Sequence, residues 1–380
     1  MTPDARISFP GEKRDDRYYN RLLDESITAV LGQAMRIIAS RPSLFAFAAR
    51  TLLSQKRAAS RRRELEKAGI QVPAVMIVSI TSRCNLSCKG CYMKSRPQAR
   101  RPEMDMDRLR AVVGQAEALG VSFIVLAGGE PLVRAGEILS LAEVFSGIIF
   151  GVITNGLLID RGMAERFASL RNVVPVISFE GLEGETDARR GEGVYRRLNE
   201  TCRLLDDAGV FFGCSLTVTR ENYSLVTDDR FITQMIDTGS RVFAFVEYVP
   251  VQEGTGGLVL SGDQRAGLVR CLRAYPAKYP ALFLGFPGDE EAFGGCLSSG
   301  RGFVHVSASG DLEPCPAAPF SDSDLTKVPL KEALQSRFLR EIRMHHDMLT
   351  ETSGGCALWS NRDWVTSVLQ ATRGDASRRP

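Results

Sequence analysis

Three cysteines fall in the run Cys84-Asn85-Leu86-Ser87-Cys88-Lys89-Gly90-Cys91, with Tyr92 directly after the last. Whatever the chain folds into must present these thiols together on one loop. Iron–sulfur clusters are held by closely spaced cysteine thiolates, and an electron-transfer cluster takes four of them. Three thiolates fill only three corners of a cubane and leave one iron open. Structural zinc is the competing use of Cys-x-x-Cys, but it needs four closed ligands, usually as two spaced pairs, and no second pair lies nearby. A second motif, Gly128-Gly129-Glu130-Pro131, directly follows the apolar run from Ser122 to Ala127, which reads as a short buried strand. Glycines at a strand end permit φ > 0 and let backbone carbonyls approach a ligand.

From residue 75 onward, apolar runs alternate with helical stretches, the pattern of repeated βα units and a parallel sheet. Strands are predicted at Met76 to Ile80, Ser122 to Ala127, Ile149 to Thr154, Val174 to Phe179, Phe211 to Thr219 and Val242 to Tyr248. Ahead of them, about Asp24 to Lys67 reads as helical, with Ile27, Val30, Leu31, Met35 and Ile38 on one face. Pro42 breaks that pattern before Leu44, Phe45, Phe47, Leu52 and Leu53 resume it. The basic stretch Lys56, Arg57, Arg61, Arg62 and Arg63 follows. This segment either packs its apolar face on the barrel with solvated arginines, the favoured expectation, or makes a peripheral membrane contact.

The 380 residues are 44% hydrophobic with a net charge of +3, too balanced for a nucleic-acid footprint. The start of the chain, Met1 to Arg21, is polar and charged, and no apolar run reaches the length of a membrane span, so a cytoplasmic protein is expected. Nine cysteines in such a chain argue for thiolate ligands rather than disulfides. Cys202, Cys214 and Cys271 sit in helical or strand contexts and read as buried small hydrophobes. Cys296, Cys315 and Cys356 remain. A hairpin of Phe303 to Ser307 and Leu312 to Cys315, turning at Ser309-Gly310-Asp311, would bring Cys296 and Cys315 together.

The CxxxCxxC run and the GGEP segment together resemble the radical S-adenosylmethionine (radical SAM) enzymes, over roughly residues 75 to 320. The resemblance implies a partial (β/α)6 barrel of the TIM type at residues 71–250, preceded by a helical extension at 1–70. It implies a [4Fe–4S] cluster on Cys84, Cys88 and Cys91, whose open iron chelates S-adenosylmethionine. Gly128, Gly129, Glu130 and Pro131 would bind the methionyl ammonium, Tyr92 would lie near the adenine, and Asn155 of the Thr154-Asn155-Gly156 turn would lie near the cofactor or simply cap a helix. The stretch from Ser178-Phe179-Glu180-Gly181 to Asp187-Ala188-Arg189-Arg190-Gly191 is similar to a family segment whose serine and last arginine approach the ribose and carboxylate, hence Ser178 and Arg190. Two departures stand there, Glu180 for an aspartate and Thr186 for a histidine.

The spacing Cx13Gx4C from Cys296 through Gly310 to Cys315 is similar to the opening of SPASM and twitch domains, which carry auxiliary clusters. The further CxxCx5CxxxC group of a full SPASM domain is absent, so residues 251–380 match the smaller twitch type, with Cys296, Cys315 and Cys356 as ligands of an auxiliary [4Fe–4S] cluster. Its fourth position is open or filled by His345, His346 or Asp347. The implied reaction is reductive cleavage of S-adenosylmethionine to a 5′-deoxyadenosyl radical that takes hydrogen from a substrate, with a low-potential donor such as flavodoxin or ferredoxin. A peptide or protein is the leading substrate; a small molecule or a lipid or isoprenoid is the alternative. A non-catalytic electron carrier or redox sensor is the reading of another class, and the GGEP turn argues against it. Glu247 at the sixth strand end either faces a substrate or pairs with Arg241.

Overall fold

The computed structural model describes residues 45–96, 101–287, 293–350 and 356–376, with scattered positions between 22 and 37. Runs rich in β-branched and apolar residues form the strands β1 (Val75–Thr81), β2 (Phe123–Gly128), β3 (Ile149–Thr154), β4 (Val173–Phe179), β5 (Gly213–Val218), β6 (Val242–Glu247) and β7 (Leu282–Phe286). They pair in parallel, each with its neighbour in sequence. β1 is buried at every position after Val75, which is what a strand covered on both faces by βα crossovers requires. All six expected strands are present, β3 with the expected bounds and the others with ends shifted by at most two residues.

The helices cover the sheet for equally local reasons. Met106–Leu119 starts at Asp105, whose carboxylate accepts the Arg108 N–H at 2.8 Å, and stops at Gly120 in the left-handed region at φ 97°. It buries Leu109, Val112, Val113, Ala116 and Leu119, the spacing of one helical face. Phe150, Phe167, Phe179, Phe212, Phe243 and Phe245 are among the largest fully buried side chains, each contributing about 1.5–3 kcal/mol of apolar burial.

Two features extend the sheet beyond the expected six strands. β7 adds in parallel to the outer edge of β6. At the other edge, β8 (Phe303–Val306) lies parallel to β1 and turns back into β9 (Leu312–Glu313), giving nine strands in the order β7-β6-β5-β4-β3-β2-β1-β8-β9. The expected hairpin therefore exists, with His305 opposite Glu313, and it is also continuous with the barrel sheet.

Helix Phe45–Lys67 packs on Met106–Leu119. Gln55 reaches the Ser122 carbonyl at 3.4 Å and Arg62 the Gly120 carbonyl at 2.7 Å. Lys56, Arg57, Arg61 and Arg63 are exposed as expected for a packed helix, whereas Arg62 is buried and docks on the barrel. The earlier part of the N-terminal helical segment, including Ile27, Leu31, Met35, Ile38, Pro42 and Leu44, lies outside the described residues.

Candidate functional site

The β1–β2 register shifts between Ser79 and Thr81, where the chain leaves the sheet to form the cysteine loop. Glu103 takes the Ser82 N–H and hydroxyl, both at 2.7 Å, and the Thr81 hydroxyl at 3.0 Å, which anchors the base of the loop. Cys84 is exposed and Cys88 and Cys91 are half-buried. Partial desolvation pushes the Cys84 thiol up, and Glu130, Cys88 and Cys91 add to the effect, so the three thiols share one electrostatic environment.

The end of β2 presses directly on this loop. Gly129 N–H donates to the Thr81 carbonyl and Glu130 N–H to the Arg83 carbonyl, both at 2.8 Å. A Cβ on Gly128 would overlap the Thr81 carbonyl oxygen, and one on Gly129 would overlap the Arg83 carbonyl. Gly128 also sits at φ 118°, open to glycine alone at low cost. The clearance expected for a ligand is used here by the protein's own backbone. Glu130 is 1% exposed, and its oxygens accept Leu132 N–H at 2.9 Å, Thr154 hydroxyl at 2.7 Å and Asn155 N–H at 2.7 Å. Burial nonetheless raises its carboxyl above the ordinary value. The carboxylate thus fastens the end of β2 to the end of β3, and Pro131 begins a single helical turn after it.

Asn155 does not cap the helix that follows, Arg161–Leu170, whose N-cap is Asp160; it closes the turn after β3 and ties it to the cysteine loop. Its Oδ1 accepts the Leu157 N–H at 3.1 Å, while its Nδ2 donates to Asn85 Oδ1, inside the cysteine loop, at 2.7 Å. Ser178 on β4 accepts the Ser215 hydroxyl from β5 at 3.1 Å. Arg190 is held by Glu180 through Nε at 2.9 Å and Nη2 at 2.6 Å. Arg189 takes the other Glu180 oxygen at 2.5 Å, donates from Nε to the Lys89 carbonyl at 3.0 Å, and accepts the Lys89 N–H on its own carbonyl at 3.0 Å. Glu180, one of the two departures, is therefore the hub that holds both guanidinium groups, and Arg189 carries that clamp to the loop at Lys89. Thr186, the other, closes the same turn by accepting Glu180 N–H at 3.2 Å and donating to the Gly181 carbonyl at 3.3 Å.

Tyr92 meets Ser79 and the Gly128 backbone through its phenol, which burial pushes up to about 12. Tyr248, just past β6, lays its ring over Gly90; its buried hydroxyl has no hydrogen-bond partner among the described residues. Arg189 and Tyr248 are the loop contacts that sequence reasoning missed. Arg189 had a signal in its adjacency to Arg190; Tyr248 had none, because β6 is far from the loop in sequence. Glu247 receives Arg265 Nε at 3.3 Å. Arg241, at the opposite end of β6, donates to the Ile236 and Ser240 carbonyls, and the length of the strand separates it from Glu247.

At the other sheet edge, Cys296, Cys315 and Cys356 are all buried. Cys315 is hydrogen-bonded with Cys356 and lies in the field of Cys296, and the pair and burial together push its thiol well up. Ala318 N–H returns to the Cys315 carbonyl at 3.0 Å, closing a tight turn around that thiol. His345 and His346 turn Nδ1 to the Glu341 and Arg343 carbonyls at 2.8 and 2.7 Å. Gly354 and Gly355 lie outside the described residues. Cys202 and Cys214 are core thiols, the former pushed up to about 12 by burial. Among the described residues, no three His, Cys, Asp or Glu side chains crowd about one point as a single metal ion demands. Cluster ligands bind separate irons and need no such crowding.

Residues 78–226 match the radical SAM superfamily. They are a radical SAM domain. Enzymes of this superfamily use a [4Fe–4S] cluster and S-adenosylmethionine, and the relatives this chain matches are enzymes, among them a peptide cyclase and heme synthases. It is 27% identical over 320 residues to the PqqA peptide cyclase of Gluconobacter oxydans, covering 79% of this chain and 86% of that one. It is 24% identical to the pre-heme d1 synthase of Dinoroseobacter shibae, covering 74% and 79%. Among solved structures, the chain is similar in fold to Streptococcus suis SuiB bound to S-adenosylmethionine, with a TM-score of 0.56 at 20% identity over 73% of this chain and 69% of that one. It is likewise similar to anSMEcpe, with a TM-score of 0.59 at 14% identity over 80% and 96%. The curled, mostly parallel sheet is the fold these structures share.

Proposed function

We propose that the enzyme modifies a peptide or protein, with one [4Fe–4S] cluster on Cys84, Cys88 and Cys91 and an auxiliary cluster on Cys296, Cys315 and Cys356. When bound, the first cluster and S-adenosylmethionine supply hydrogen abstraction by a 5′-deoxyadenosyl radical. This chain's residues hold and orient the cofactor: Gly128, Gly129, Glu130 and Pro131 form the floor beside the loop, Tyr92, Asn155 and Ser178 flank it, and Arg190 offers a cation, its pose fixed by Glu180. The approach of Cys315 to Cys296 and Cys356, just past β9 at the edge of the sheet, carries the two-cluster reading. The peptide reading rests on the PqqA peptide cyclase, which aligns with 79% of the chain. It is joined by the sporulation killing factor maturation protein SkfB and the subtilosin biosynthesis protein AlbA, both of Bacillus subtilis.

A second reading, a small-molecule substrate of tetrapyrrole type, is favoured by the relatives named as heme synthases. Electrons come from a low-potential donor of the flavodoxin or ferredoxin type. Among the described residues no helix is long and apolar enough to cross a membrane.

Anaerobic iron and sulfide counts test the clusters. The native chain should hold about eight irons and a C296A/C315A/C356A variant about four; equal counts near four would remove the auxiliary cluster. Substrate class is tested by 5′-deoxyadenosine release from reduced enzyme offered peptide fractions or iron-porphyrin precursors. Stimulation by the tetrapyrroles alone would overturn the peptide reading.

A further inference from the structure

A closed ring of buried and half-buried polar side chains joins the two cysteine sites. β8 places His305, fully buried, with Nε2 2.8 Å from Ser79 Oγ on β1. Across the hairpin, His305 Nδ1 lies 2.6 Å from Glu313 Oε2. Glu313, 4% exposed, receives Arg96 Nη2 at 2.6 Å on each oxygen, and Arg96 Nη1 donates to the Pro316 carbonyl at 2.6 Å. Ser79 in turn meets the Tyr92 phenol. Tyr92 and Arg96 are the first residue and the C-cap of one short helix that starts at Cys91, while Glu313 and Pro316 flank Cys315. The ring therefore leaves one cysteine site through Tyr92 and Arg96 and enters the other at the Cys315 turn.

The direction of the hydrogen bonds follows from chemistry. The Glu313 carboxylate only accepts, so His305 donates from Nδ1 and must accept at Nε2, where Ser79 donates. Burial depresses the basicity of His305, in keeping with a neutral ring holding this one tautomer. A buried carboxylate and a buried imidazole are costly to desolvate unless their lone pairs and N–H groups are used. Here they are used on named partners, so the geometry has little room to slip. Sequence separation between Ser79 and His305 is 226 residues, so no local preference accounts for their meeting.

We propose that His305 is a positioning residue that sets the two cysteine sites in a common register, fixing Tyr92 beside Cys91 through Ser79 and the Cys315 turn through Glu313. It ligates neither cluster and touches no substrate. The inference rests on the two-cluster reading above. Tightening or loosening one arm is felt at the other site, because both arms end on a single imidazole.

The test uses the full chain, loaded anaerobically, in two backgrounds: C84A/C88A/C91A, retaining only the auxiliary site, and C296A/C315A/C356A, retaining only the first. Iron counts in these backgrounds judge the two-cluster reading by themselves; absence of iron in the first background overturns it and the inference with it. In each background H305F, H305Q and S79A are read by electron paramagnetic resonance of the reduced cluster, and in the second also by S-adenosylmethionine affinity. H305F should shift the spectrum in both backgrounds and weaken S-adenosylmethionine about tenfold, the scale of a lost hydrogen bond. H305Q, which offers both an N–H and an acceptor, should restore part of each. S79A should shift the first site strongly and, through the shared imidazole, the auxiliary site more weakly. An H305F spectrum unchanged in either background refutes the coupling. Should H305F not fold, the decision passes to the other two variants: a spectrum altered by S79A and preserved by H305Q at the first site supports the inference, and S79A matching the parent overturns it.

Discussion

Gly129→Ala tests the idea that β2 and the cysteine loop are fitted backbone to backbone. The added Cβ would overlap the Arg83 carbonyl and come within 2.8 Å of the Ser82 oxygen, and neither is the flexible tip of a side chain. The two strands must separate, at an overpacking cost of ~1–3 kcal/mol. Separation also weakens the 2.8 Å bonds from Gly129 to Thr81 and from Glu130 to Arg83, each with a net value of ~1 kcal/mol. The total is about 3 kcal/mol, enough to lower an apparent Tm by about 4 °C in a chain of 380 residues, whose unfolding entropy is ~0.8 kcal/mol/K. Because Arg83 directly precedes Cys84, loss of iron from the first site should exceed what the melting shift alone would produce. Gly136→Ala is the control, since its Cβ meets nothing within 4 Å in helix Ala135–Val144 and alanine is the better helix former. Thermal melts and iron counts on both variants decide the matter. A G129A protein that melts and loads like G136A would refute the fitted-backbone argument.

Three further outcomes are expected. Glu180→Gln leaves Arg189 and Arg190 without their shared charge, costing about 2 kcal/mol or more, and should weaken S-adenosylmethionine binding measured by equilibrium dialysis; unchanged affinity would show that the clamp does not set the site. Tyr248→Phe removes a buried hydroxyl that lacks a protein partner and should leave stability unchanged or raise it by up to ~1 kcal/mol; a marked fall in Tm would mean that the hydroxyl is satisfied within the fold. Burial works to raise the Asp324 carboxyl, but Thr326, Arg101 and Lys327 together hold it well below the usual carboxylate range. Its contribution is therefore complete above the unfolded value near ~3.9 and disappears as pH falls through the lower folded value. The stability gap between the native chain and Asp324→Asn should be constant at neutral pH and shrink in acid; a gap that widens below pH ~4 would contradict that sign.

The strands were legible because each buried strand is a short apolar run, and the loop motifs were legible because their residues are neighbours in sequence. Ser178 and Arg190 were found through a segment pattern, yet the part of Glu180 was not, since a departure from a pattern names no partner. The close backbone contacts of Gly128 with Thr81 and of Gly129 with Arg83 are ones that no glycine pattern specifies.

By itself the sequence determined the parallel βα repeat, the three-thiol loop at one strand end, the GGEP turn at the next and the hairpin bearing Cys315, because periodicity, spacing and turn chemistry are local properties. Only the tertiary structure decided that β8 lies against β1, that Arg189 closes on Lys89, that Tyr248 covers Gly90, and that Cys356 approaches Cys315. Those pairings join residues far apart in the chain, where the choice among possible partners is made by the packing of the whole sheet and the need to satisfy each buried polar group, not by any one segment's preference.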